Sequence, residues 1–129
     1  MGLVWRAEMA TGIRAVDLQH EELVAMINAL AEAVVAQADS AALDALAQRL
    51  DAYIVFHFGT EENLMSTLPR GSEHVTLHRQ QHREFVAELA RLRQSGAFRE
   101  LLSYLENWIV AHIMKTDRAL ALQLRQGGR

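Results

Sequence analysis

The chain contains no cysteine among its 129 residues, which excludes disulfides, thiolate metal sites, iron–sulfur clusters and cysteine nucleophiles together. Proline occurs once and no segment is of low complexity. With half the residues apolar and 22% charged, the chain is neither disordered nor fibrous. No apolar run reaches about 18 residues, and Met1 to Ile13 lacks the cationic start and unbroken apolar stretch of a secretory leader. A dominant charge is lacking too. The formal net charge of -3 offers no basic surface to neutralise phosphates or anionic lipid, so neither nucleic acid nor a membrane is an expected partner. The expectation is a soluble, cytoplasmic, monomeric protein with one domain over residues 1–129, its first 15 or so residues forming an arm. Gly127, Gly128 and Arg129 read as a frayed end, or as the point where a longer protein was cut.

What is present is helical periodicity. Leu23, Ile27, Leu30 and Val34 recur at spacings of three and four, predicting a helix from Val16 or Asp17 to around Asp39. Ser40 is the expected cap of a second helix, whose stripe Leu43, Leu46, Leu50, Ile54, His57, Glu61 and Leu64 continues to about Thr67, ahead of Pro69 and Gly71. Ser72 can cap a third, through Val75, His78, His82, Phe85 and Leu89, which runs out near Ser95 and Gly96. A fourth spans roughly Phe98 to Leu124. Short connections and no alternating strand pattern predict an all-α, up-down-up-down four-helix bundle with an N-terminal arm.

Polar, ligating residue types interrupt the apolar stripe in all four helices, where core packing alone would prefer leucine. His57 and Glu61 are four residues apart, as are His78 and His82, so each pair shares one helix face. The fourth helix supplies His112 and Asp117, and the first supplies His20. One His-x-x-x-Glu pair is more often a surface salt bridge than a ligand set, and one core histidine is more often simply hydrogen-bonded. Five imidazoles and two carboxylates buried together are different, because they leave many unsatisfied polar groups unless cations sit among them. Five imidazole nitrogens, two bridging carboxylates and one bridging oxygen would fill eleven of the twelve positions of two octahedra, leaving one vacancy for a small ligand. Zinc would favour four ligands, and magnesium or calcium would favour oxygen, so the set favours iron, with manganese as the alternative.

These residues resemble a known family. The set His20, His57-x-x-x-Glu61, His78-x-x-x-His82 and His112-x-x-x-x-Asp117 is similar to the hemerythrin pattern, and the stretches Asp17-Leu-Gln-His20, His57-Phe-Gly-Thr-Glu61-Glu-Asn-Leu-Met65 and Trp108-Ile-Val-Ala-His112 resemble its bacterial branch. The resemblance implies two non-haem iron ions. His20 and His57 would hold one, and His78, His82 and His112 the other, with Glu61, Asp117 and an oxo or hydroxo group as bridges. It also implies reversible dioxygen binding at the two-histidine iron, against a wall formed by Leu23, Phe58, Trp108, Ile109 and Met114. A carrier, storage or delivery protein without net turnover is then expected, serving an oxygen-consuming partner protein. The alternatives are a module sensing oxygen, nitric oxide or redox state, and a di-iron oxidase or peroxidase. Bundle oxygen activators typically use four carboxylates and two histidines, which favours the non-enzymatic reading.

Two details depart from the pattern, and two more call for a structural reason. Met9 and Ala10 stand where relatives often carry a tyrosine. His74 is a sixth histidine that the pattern does not require, and it is expected to be exposed. In a regular helix His112 and Asp117 would point about 140° apart, so a π-type widening near Ile113 to Thr116, or an Asp117 reaching in from the flank, is expected. Gly59 costs a helix about 1 kcal/mol relative to alanine and is expected to permit close helix packing.

Overall fold

The computed structural model describes residues 2–127; the expectation for Gly128 and Arg129 lies outside the described residues. A 3₁₀ turn, Ala7–Met9, precedes α1 (Arg14–Val35), α2 (Ser40–Met65), α3 (Glu73–Gln94), α4 (Phe98–Ala111), a π-helical segment (His112–Asp117) and α5 (Arg118–Gly127). The last three run on as one long fourth helix. Helix α1 packs against α2 and α4, and α3 packs against the same two, which makes the expected four-helix bundle. There is no strand among the described residues, and no helix long and apolar enough to cross a membrane.

Local chemistry sets the helix ends. Asp39, not the expected Ser40, caps α2: its side chain accepts from the Ala42 amide at 2.8 Å, and Ser40 becomes the first helical residue. Ser72 caps α3 as expected, accepting from Val75 at 3.4 Å. Helix α1 starts at Arg14 and stops at Val35, both earlier than the expected Val16 or Asp17 and Asp39. Its C-terminus closes with Gln37 in the left-handed region (φ 58°) and the Ala38 amide bonded back to Ala33 at 3.0 Å. Helix α3 ends in the same way on Gly96 (φ 71°), with the Ala97 amide reaching Leu92 at 3.3 Å.

The apolar stripes meet in one core that includes Leu23, Ile27, Leu30, Leu50, Ile54, Phe85, Leu101, Leu105, Ile109 and Ile113. Each such side chain contributes roughly 1.5–3 kcal/mol on burial, which makes this core the main force holding the helices together. The arm is tied down at two places. Asn28 accepts from the Leu3 amide at 2.7 Å and donates to the Leu3 carbonyl at 2.8 Å. Asp17 accepts from the Thr11 amide and hydroxyl at 2.7 and 2.8 Å and from the Gly12 amide at 3.1 Å. Between these ties Met9 is fully buried in the core, occupying apolar space with no hydroxyl to offer.

Two expectations about single residues need correction. Gly59 is exposed, and a Cβ built on it would meet nothing within 4 Å, so close helix packing is not its reason. His74 is half-buried, because the turn of helix between it and His78 lays its ring against the His78 imidazole.

Candidate metal centre

All seven expected ligand residues converge at one end of the core, and all are buried, with Asp117 at 1% and Glu61 at 0% exposure. The segment His112–Asp117 is π-helical, the first of the two expected solutions: an i to i+5 repeat returns to the same face after five residues, so both side chains enter the site. His20 comes from α1, His57 and Glu61 from α2, and His78 and His82 from α3.

The two carboxylates divide their oxygens between two groups of imidazoles. Oε1 of Glu61 lies 3.2 Å from His78 Nε2 and 3.0 Å from His82 Nε2, while its Oε2 lies 2.9 Å from His57 Nε2 and 3.4 Å from His20 Nε2. Asp117 repeats the division, with Oδ1 3.1 Å from both His78 and His112 and Oδ2 2.9 Å from His20. Two groups of donors result, His20, His57, Glu61 and Asp117 on one side and Glu61, His78, His82 and His112 on the other; within each, the donor atoms lie within 4.8 Å of one another.

Proximity here is not satisfaction. Nε2 of His20 and His57, Oε2 of Glu61 and both Asp117 oxygens are buried without a well-directed hydrogen bond. Nε2 of His112 faces Nε2 of His78 at 3.1 Å, lone pair towards lone pair unless a proton intervenes. A polar group buried unpaired costs roughly 1–3 kcal/mol, so a cluster of them facing a common centre is the donor arrangement that divalent cations fill. Nitrogen and carboxylate oxygen donors without sulfur suit iron or manganese, and the residues present therefore fit a pair of such ions.

Without a metal the same cluster is held by shared protons. Burial disfavours the charged form of His20, but the carboxylates of Asp117 and Glu61 beside it outweigh that and raise its pKa to about 9. His78 is raised to about 9 by the same balance, and His112 is raised as well. Burial alone would push Glu61 and Asp117 up, yet the surrounding imidazoles hold both below the usual carboxylate range.

Behind the ligands stands a set of partners that was not foreseen. Gln19 Oε1 lies 2.7 Å from His57 Nδ1, and its amide nitrogen donates to Thr60 at 3.1 Å, which fixes the carboxamide's orientation. Gln81 Oε1 faces His112 Nδ1 at 3.0 Å and also accepts from the Thr116 hydroxyl at 2.9 Å. Glu62 Oε2 lies 2.9 Å from His82 Nδ1, and His74 Nε2 lies 3.1 Å from His78 Nδ1. By binding Nδ1, each partner selects the tautomer that leaves Nε2 bare for a metal. Gln19, Glu62 and Gln81 each sit next to a ligand in sequence while serving a ligand on another helix, and this adjacency is the signal that could have found them.

The five apolar residues expected at a gas pocket all lie in the core or against it. Leu23, Phe58 and Ile109 are buried, while Trp108 and Met114 are half-buried and packed on the same cluster. Phe58 stacks on His82 with ring centroids 3.7 Å apart, and Trp108 stacks on His112 at 4.2 Å, so both aromatics flank the three-histidine side.

Comparison with known proteins agrees with this geometry. Residues 11–124 match the family model described as the hemerythrin HHE cation binding domain. A bacteriohemerythrin of Pseudomonas paraeruginosa is 32% identical over 120 residues, covering 89% of this chain and 76% of that protein. One from Stenotrophomonas maltophilia is 30% identical over 95% of this chain and 82% of its own length. A hemerythrin-like protein of Naegleria gruberi is 29% identical over 88% of this chain and 86% of its own. With a family model spanning nearly all of the bundle and five histidines and two carboxylates meeting inside it, the chain belongs to the hemerythrin family.

Proposed function

We propose that this protein binds dioxygen reversibly at a di-iron centre bridged by Glu61 and Asp117, without net turnover of a substrate. The observation that carries this reading is the division of oxygens: each carboxylate turns one towards the pair His20 and His57 and the other towards the trio His78, His82 and His112. Two ferrous ions bound there would supply the capacity to bind dioxygen and to lend it electrons reversibly. The chain's own residues do the rest. The unequal histidine count leaves the pair side one protein donor poorer, which is where a small ligand finds room. Full burial of the donors and the apolar residues Leu23, Phe58, Trp108, Ile109 and Met114 keep bulk water away, a condition for releasing the gas unchanged.

The partners at Nδ1 keep His57, His82 and His112 oriented while the ligand comes and goes. A role in cytoplasmic storage or delivery to an oxygen-consuming protein follows from this reading. The test is the optical spectrum of protein loaded anaerobically with two ferrous ions per chain, recorded before air, in air and after oxygen is removed. A visible charge-transfer band that rises and falls with oxygen is the expected result. A single irreversible oxidation would replace the carrier reading by the oxidase one.

A further inference from the structure

We propose that His74 is a positioning residue for the three-histidine metal: its Nε2 accepts the Nδ1 proton of His78, fixing that ligand's ring with a neutral acceptor where the adjacent ligand His82 has a carboxylate. The proposal rests on the di-iron reading above and adds to it a residue that the seven-ligand pattern does not contain.

The geometry is specific. His74 lies one turn before His78 on α3, its Nε2 is 3.1 Å from His78 Nδ1, and the two rings stand at 89° with centroids 5.1 Å apart. His78 in turn directs Nε2 at both carboxylates, 3.2 Å from Glu61 Oε1 and 3.1 Å from Asp117 Oδ1, so its rotation disturbs both bridges, as that of His20 does from the other side. A metal-bound Nε2 carries no proton, which leaves the ring's single proton on Nδ1, pointing at His74. To accept it, His74 must have a bare Nε2 and therefore be the neutral ring protonated on Nδ1.

The partners of the other ligands give this assignment its meaning. His57 and His112 donate to carboxamide oxygens, of Gln19 and Gln81, and His82 faces the Glu62 carboxylate at 2.9 Å. A carboxylate partner draws the Nδ1 proton and makes the imidazole a stronger donor to metal than a neutral partner does. His78 and His82, one turn apart and serving the same ion, are thereby made unequal.

Three variants separate hydrogen bonding from mere ring packing. His74→Phe keeps an aromatic ring edge-on to His78 but removes the acceptor; His74→Gln restores an oxygen of the kind Gln19 and Gln81 supply; His74→Glu supplies a carboxylate. Each is titrated anaerobically with ferrous iron, and the exchangeable imidazole N–H resonances of the loaded protein are followed by NMR. The expected result is about a 10- to 100-fold loss of affinity for one of the two ions in His74→Phe, with one N–H signal exchanging faster, and near wild-type behaviour in His74→Gln. His74→Glu should bind that ion at least as tightly as wild type and hold its ferric state more strongly. Wild-type affinity and N–H exchange in His74→Phe would overturn the proposal, as would failure of His74→Gln to restore them. If wild-type protein takes up no iron at all, the di-iron reading fails and this proposal falls with it; two ions bound alike by wild type and His74→Phe sinks this proposal alone.

Discussion

Glu61 is the residue on which both halves of the site depend, since its two oxygens lie within 3.4 Å of four imidazole nitrogens. Glu61→Gln keeps the shape but replaces one oxygen by an amide nitrogen whose protons point where a lone pair is needed. Iron bound per chain, measured by elemental analysis after anaerobic loading, should fall from two to one or fewer; two ions retained at wild-type affinity would refute Glu61 as a bridge. The seven candidate ligands that the structure brings together were legible in the sequence because each breaks an apolar stripe that has no other use for it. Gln19, Glu62 and Gln81 were not, because on a single helix they read as solvent-facing polar residues; only the packing of α1 on α2 and of α3 on its neighbours turns them onto ligands of another helix. The half-burial of His74 is hidden for the same reason: the four-residue spacing from His78 puts the two on one face, but does not show that this face is already the edge of the site.

At the scale of elements, the sequence made the existence of each helix plain through its periodicity, and the five-residue gap between His112 and Asp117 showed that a regular helix could not serve both, though not which of two departures would solve it. Helix ends were less legible, since Asp39 and Ser40 are both good capping residues and tertiary context chose the first. Two elements carry residues poorly suited to their backbone. Gly59 sits inside α2 with open space beside it, so Gly59→Ala should stabilise the protein by about 1 kcal/mol, because alanine costs the helix less conformational entropy. Gln37 holds a left-handed backbone at the end of α1, where α3 uses Gly96. Gln37→Gly should therefore also stabilise, by up to about 1–2 kcal/mol less the extra entropy of a glycine in the unfolded chain. Urea unfolding of metal-free protein checks both; a loss of stability in Gly59→Ala would mean that the glycine has a packing role that the open space beside it does not reveal.

For the whole molecule, the metal centre and the fold are linked through protons. In the metal-free protein His20 and His78 have pKa values raised from 6.5 to about 9, so the folded state binds protons that the unfolded chain releases. Their contribution to stability is complete below about pH 6.5 and fades as pH rises through 9. Glu61 and Asp117 are shifted the other way, so their contribution is complete above the ordinary carboxylate range and fades as pH falls below about 4. Metal-free protein should thus be most stable between about pH 4.5 and 6.5 and lose stability steadily towards pH 9. Metal removes this dependence, because an ion needs the bare Nε2 atoms that the alkaline side supplies: loading at pH 7 should release protons, and the loaded protein should keep its stability up to pH 9. Urea midpoints of the two forms across that range decide the matter, since equal slopes with and without metal would show that the imidazole cluster carries no buried protons for the ions to displace.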